Sequence, residues 1–494
     1  MKLKQKNNIR IKSIKYEMVF SLLLTAILSV VIFSIFPYSG RLSYQGTFII
    51  VTLAYAWIII TWYRFFNSFL NSYTIFVIAT YVFYFGQYLL ITLGVQLNKG
   101  ITIVTTYSEA DNNFVALFIV TSMLMIHAGS IFSAIIDKKN NKLLQYGEVT
   151  ISTLDKPFDT KALKYVAVFL LMISYIPTLI ILFNYVRIVL TVGYGSVFKS
   201  SFYTSGGFDN ILGFLSTFII PALIAAIIAF RKSKYLILVY FMTGVYLIMY
   251  FLSGSRYNAV LVILAILLIK KYFMGGIKGK EKVKYSVGGV LFIIVLSLIS
   301  SIRSELHRAS SYGMLLINVF EDLYQNNIIF TFLREFGFTF VATAAVFMNC
   351  PVPIDHVNGE TYLASLLRIF PNLFWDVHPA AKVSVDSVFK SFVTSYGGIG
   401  SSFIAEAYYN FGYYSIIFMP IIGWLLYKLF VTMANSAINN DIGKGFLSIY
   451  IFSFTLFFIR SDTTPFWRNL VYYGVIPYYA YLIIRNSLKR RNIQ

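Results

Sequence analysis

Long apolar runs recur along this chain, near 17–36, 46–63, 72–95, 113–136, 165–191, 210–230, 235–252, 257–274, 284–302, 403–431, 445–459 and 469–486. Each is close to the ~20 consecutive apolar residues that a helix needs to cross a hydrocarbon core. Lipid offers no partners to backbone N–H and C=O groups, so a span must satisfy them internally, and unalternating runs of this length do so as helices. The expected fold is an all-α polytopic membrane protein with about 12 transmembrane helices, a single integral membrane domain over 1–494. A further run, 327–349, carries Arg334-Glu335 and fits a crossing, a re-entrant segment or an interfacial one. Composition agrees: 58% of the 494 residues are hydrophobic and 12% charged, more apolar surface than a soluble chain can cover. The basic stretch Met1–Lys15 leads into the first run without a small-residue cleavage site, so it reads as a retained helix and not a removed signal.

The formal net charge is +21, which could suggest a nucleic-acid partner. Topology accounts for it instead. With a cytoplasmic N-terminus and 327–349 not crossing, 28 of the 41 Lys and Arg fall on the inner side and 13 on the outer. Acidic residues divide 7 inside and 13 outside, so the whole excess is cytoplasmic and the outer face is neutral. That is the bias that orients membrane proteins against anionic inner-leaflet lipid. Both termini are expected inside. One long extracytoplasmic loop, 303–401, is expected outside, and loops of that length are uncommon unless functional.

Several chemistries are disfavoured. One cysteine, Cys350, allows neither an internal disulfide nor a cysteine-based zinc site, and the four histidines show no HExxH spacing. DxD, GxSxG and P-loop patterns are absent from the sequence, so neither a metal nor a cofactor is expected. The spans carry little charge, and no repeat divides the chain into halves, which disfavours an ion-coupled carrier.

The outer face has its own bias. Nine of its 13 basic residues are Arg, against six of 28 inside. Lysine suffices to orient a protein, whereas the guanidinium fork suits bidentate binding of phosphate or carboxylate. Five of these arginines, Arg187, Arg256, Arg303, Arg460 and Arg468, fall at span ends, where simple snorkelling anchors are the alternative. Ser253-Gly254-Ser255-Arg256 joins two spans in a tight turn that opens a helix, an arrangement suited to a phosphate. Arg303 and His307 fall four apart, one face of a continuing helix, and pair an anion binder with a titratable base. Ser402, Glu406 and Asn410 also share a helical face, with Glu406 either a base for a sugar hydroxyl or a helix-end carboxylate. Asp376 and His378 form a further acid–base pair.

These features resemble the Wzy-type O-antigen and capsular oligosaccharide repeat-unit polymerases. The resemblance is carried by Ser253-Gly254-Ser255-Arg256, Arg303, Arg334-Glu335-Phe336, Gly359-Glu360-Thr361-Tyr362-Leu363, Ile369-Phe370-Pro371 and Ser402 through Glu406 to Asn410-Phe411-Gly412. It covers roughly 250–430, with Tyr257-Asn258 departing from the Gly-Ala that relatives often carry. It implies a metal-independent glycosyltransferase at the outer face of the bacterial inner membrane. Its donor and acceptor would be undecaprenyl-diphosphate-linked glycans in membrane lipid, with a chain-length regulator and a flippase as partners and no nucleic acid. Arg256, Arg303, Arg460 and Arg468 would bind the diphosphate, and His307 and Glu406 would act on the acceptor hydroxyl. An O-antigen ligase, which shares the donor and differs in acceptor, and a lipid-linked oligosaccharide flippase or transporter are the competing readings.

Overall fold

The computed structural model describes residues 2–97, 101–137, 156–191, 207–254, 257–277, 279–305, 314, 317–319, 321, 327–370, 378, 382–393 and 400–491. Among them there is no strand. The α-helices of five or more residues are α1 (Lys2–Ile35), α2 (Tyr44–Phe66), α3 (Ser72–Thr92), α4 (Glu109–Ile136), α5 (Pro157–Thr191), α6 (Gly207–Ser216), α7 (Ile219–Ala229), α8 (Leu236–Leu252) and α9 (Tyr257–Phe273). They continue with α10 (Lys280–Glu305), α11 (Ile328–Phe336), α12 (Phe338–Asn349), α13 (Glu360–Leu367), α14 (Val385–Phe389), α15 (Phe403–Phe411), α16 (Ser415–Ile438), α17 (Ile442–Thr455) and α18 (Ile476–Arg491). Nine helical segments among the described residues are long and apolar enough to cross a membrane. Eight coincide with expected runs, and the ninth, Ile328–Asn349, is the run that the sequence left open. The other expected runs lie on α8, α9, α10 and α18.

The organising element is α4, buried along most of its length and packed between α1 and α16. Its small residues explain why. A Cβ on Gly423 would lie 1.8 Å from the Ile126 carbonyl oxygen, and one on Gly129 would lie 2.0 Å from that of Pro420. Only glycine permits backbones this close, the small-residue packing that membrane helices use where no hydrophobic driving force separates lipid from protein. The Ser130 hydroxyl, 2.8 Å from the Gly423 carbonyl that accepts from it, closes the seam. Contacts advance together along the pair: Phe114 and Phe118 meet Tyr413, Gly129 meets Pro420, and Lys428 meets Asp137. The two helices therefore run parallel. By contrast, α1 and α2 run antiparallel, with Glu17 against Arg64 and Thr25 against Trp57.

Ion pairs link helix ends within the lysine-rich segments: Arg64–Glu17, Lys270–Glu281, Lys428–Asp137, Lys444–Asp441 and Arg485–Asp159. We call this the basic end of the bundle. The segment read from sequence as a long loop belongs to the opposite end, and much of its described part is helical. In α12, Phe340, Val341, Ala342, Ala344, Ala345 and Val346 are fully buried.

Contacts also account for the 327–349 run. At its start the Ile328 carbonyl accepts from Ser297, in the C-terminal half of α10. At its middle the Arg334 carbonyl accepts from Gln87, whose other amide atom takes the Ile103 N–H. At its end Phe347 stacks on Tyr408 and meets Phe118 edge-on. Each of these partners lies toward the end opposite the basic one, and Gly337 separates α11 from α12 within the segment.

Candidate active site

At the end opposite the basic one, three separated stretches of chain converge on Glu406. Ser402 caps α15 by accepting the Ala405 N–H and shares a second hydrogen bond with Thr343. This fixes the first turn of α15 against α12 and points Glu406 and Asn410 toward α13 and the 461–465 loop. Glu406 is fully buried. Its Oε1 accepts the hydroxyls of Thr361 and Thr463, each at 2.8 Å, and its Oε2 accepts the Thr463 N–H at 2.7 Å. Asn410, one turn on, donates to the Thr361 hydroxyl and to the Glu406 carbonyl, both at 2.7 Å, and accepts the Gly359 N–H at 2.9 Å. A carboxylate buried in an apolar bundle is tolerated only with its lone pairs filled in this way. The shared face of Ser402, Glu406 and Asn410 is thus observed, and the donors to the Glu406 carboxylate come from elsewhere in the chain.

A second buried carboxylate, Asp462, clamps the same loop from its other side. Its Oδ2 accepts the Val385 N–H at 3.0 Å, tying the loop to the start of α14, and its Oδ1 accepts the Thr464 N–H at 3.2 Å. Burial raises the Asp462 carboxyl above the ordinary aspartate range, with Asp386 adding to the rise, while the Thr464 and Val385 hydrogen bonds oppose it. Asp462 and Glu406 are near enough to repel each other.

Arginines surround this carboxylate pair. Arg368 ends α13, the helix that Thr361 ties to Glu406, and packs beside Arg468. The Tyr472 hydroxyl, donating to the Ile369 carbonyl at 3.2 Å, holds the two segments together. Burial first, and Arg468 second, lower the proton affinity of Arg368 below the usual guanidinium value, and Asp462 offsets part of this. Neither guanidinium has a hydrogen bond or ion pair among the described residues. Arg460 lies across the loop, packed on Gly400, where a Cβ would come within 3.2 Å of the arginine Cγ and where φ is +62°. The left-handed φ is what favours glycine there.

The structure therefore brings together Glu406, Arg460 and Arg468 of the residues expected from sequence. Arg256 and His307 lie outside the described residues, as does Asp376; Arg303 falls in the last turn of α10, and its side chain is likewise not described. Sequence reasoning did not single out Arg368, Asp462, Thr361 or Thr463 as site residues. One available signal was Asp462 itself, a lone acid between Arg460 and Arg468 in a short inter-span segment. The Thr361 and Thr463 hydroxyls left no local signal, since their partner is 45 and 57 residues away.

A helical bundle with nine segments long and apolar enough to cross a membrane among the described residues defines an all-α polytopic membrane protein, with two buried carboxylates and an arginine pair that has no hydrogen bond among the described residues at one end. The chain belongs to the O-antigen polysaccharide polymerase Wzy family, whose pattern matches residues 17–492, nearly its full length. No curated protein and no solved structure matches it. The protein is thus a multi-pass membrane protein of the O-antigen polymerase type, a polysaccharide polymerase by family.

Proposed function

We propose that this protein joins undecaprenyl-diphosphate-linked oligosaccharide repeat units into O-antigen or capsular polysaccharide at the outer face of the inner membrane, without a metal. The observation that carries this reading is the Arg368–Arg468 pair, half-buried, mutually repelling and without a hydrogen-bond partner among the described residues. Two such cations are stabilised by a multiply charged anion, and a diphosphate offers several acceptor oxygens in the spacing that guanidinium forks bind.

In the proposed reaction an acceptor sugar hydroxyl attacks the anomeric carbon of the donor glycan. The bond from that carbon to the lipid diphosphate breaks, and its electron pair leaves with the diphosphate. The hydroxyl proton passes to a base. The arginines would neutralise charge that builds on the departing oxygens, which is where preorganised cations lower a barrier. Arg368 joins Arg460 and Arg468 in this role; the diphosphate roles of Arg256 and Arg303 and the base role of His307 rest on the sequence. The lysine-rich end faces the cytoplasm in this reading, with both termini there. A chain-length regulator and a flippase are the partners that the reaction calls for.

Replacing the gene with an Arg368→Ala, Arg468→Ala form in its own host tests the proposal. The expected surface glycan is a single repeat unit on its acceptor, the phenotype of lost polymerisation. Complete loss of the repeat from the acceptor points to a ligase instead, and normal long chains refute the site.

A further inference from the structure

Resting on that reading, we infer that Glu406 is a positioning residue for the arginine cluster and not the base that takes the acceptor proton. Both of its oxygens are engaged by three donors, and it is fully buried. What those donors have in common is the loop and helix that carry the arginines. Thr463 sits between Arg460 and Arg468, and both its N–H and its hydroxyl end on Glu406. Thr361 sits in the first turn of α13, the helix that ends in Arg368. Glu406 therefore bridges the two segments whose cations must approach one ligand, and Asn410 braces the bridge by donating to Thr361. Asp462 completes the clamp through Val385 and Thr464. Like charges do not hold themselves together, so the repulsion between Arg368 and Arg468 must be opposed by a scaffold. The Thr361–Glu406–Thr463 bridge supplies it.

The two roles predict opposite responses to one isosteric change. In Glu406→Gln the amide oxygen can keep the Thr463 N–H, and the amide N–H groups can donate to the Thr361 and Thr463 hydroxyls, which rotate to accept. The bridge survives; a proton-accepting carboxylate does not. In Glu406→Ala the bridge is gone.

The experiment measures initial rates of glycan extension by purified protein on a lipid-diphosphate-linked repeat unit, over donor concentration and pH, for wild type and both variants. The wild type must extend the substrate; failure there overturns the functional reading itself. Given that extension, Glu406→Gln is expected to retain turnover within about tenfold of wild type with an unshifted pH profile. Glu406→Ala is expected to lose about a hundredfold, mainly as a raised KM for the donor, because displacing positioning groups by an ångström costs that much. Glu406→Gln losing as much kcat as Glu406→Ala, or losing one limb of the pH profile, overturns the inference. Thr463→Val, which keeps the N–H and removes one hydroxyl, gives a milder check. It is expected to raise KM by roughly tenfold with kcat little changed, and a loss confined to kcat counts against the bridge.

Discussion

Arg368→Ala separates binding from folding in a way that few site mutations do. In the folded protein this guanidinium is half-buried, beside a second cation, with no hydrogen bond to the described residues. Removing it ends the repulsion from Arg468 at the loss of a smaller attraction to Asp462 and breaks no ion pair among those residues, so the unliganded protein should be about as stable as wild type. The ligand loses what the residue supplied. A hydrogen bond to a charged group contributes roughly 1.5–3 kcal/mol, which corresponds to about 10- to 150-fold in affinity. A bidentate contact places the loss toward the upper end. Thermal unfolding in detergent should show an unchanged midpoint, while kcat/KM for the lipid-linked donor falls by about two orders of magnitude. Arg368→Lys should recover only part of this, because an ammonium cannot reproduce the fork. If Arg368→Ala extends glycan at the wild-type rate, the anion site is misplaced. If it lowers the midpoint by several degrees together with activity, the arginine is a structural element and the argument from its missing partners is wrong.

Three other outcomes follow from the same geometry. Burial holds the Asp462 carboxyl above its ordinary range, so its protonated form persists to a higher pH in the folded protein. Its contribution to stability is complete below the unfolded value of ~3.9 and is lost as pH rises through the raised one. Since the ionised form repels an anion at the arginines, donor affinity should strengthen as pH falls through that raised range, and Asp462→Asn should abolish the slope in a titration of KM against pH. Gly423→Ala would place a methyl 1.8 Å from the Ile126 carbonyl oxygen and force α4 and α16 apart. A cost of roughly 1–3 kcal/mol is expected, read as a lowered unfolding midpoint in detergent. With Cys350 replaced by Ala, a cysteine at Tyr38 should react with an impermeant maleimide in intact cells, and one at Lys444 only after permeabilisation; the reverse pattern inverts the proposed orientation.

Much of the fold was legible in the sequence because lipid imposes one rule on every span. Runs such as 113–136 are unmistakable by length and hydropathy, and the lysine count separates the basic end from the other. The placement of the 327–349 run was not decidable that way, since it depends on contacts with Ser297, Gln87 and Phe118, residues scattered over three helices. The site was legible only in part. Glu406 and Asn410 are visible as a helical face, and Arg460 and Arg468 as guanidiniums at span ends. Their assembly rests on hydrogen bonds between residues far apart in the chain, such as Thr463 to Glu406, and on α13 folding back so that Arg368 meets Arg468. Hydropathy and charge carry no record of such encounters. Glu406 lies in the first turn of α15, as the helix-end reading expects, but the tertiary donors that take its oxygens leave no local pattern.

The most direct test of the account is reconstitution of the purified protein in vesicles with a single lipid-diphosphate-linked repeat unit and no added divalent cation. The account predicts a ladder of glycans on lipid, one lipid diphosphate released for each bond formed, and both signals lost together in the Arg368→Ala, Arg468→Ala double variant. Diphosphate release without a ladder, or a ladder that the double variant still makes, would contradict it.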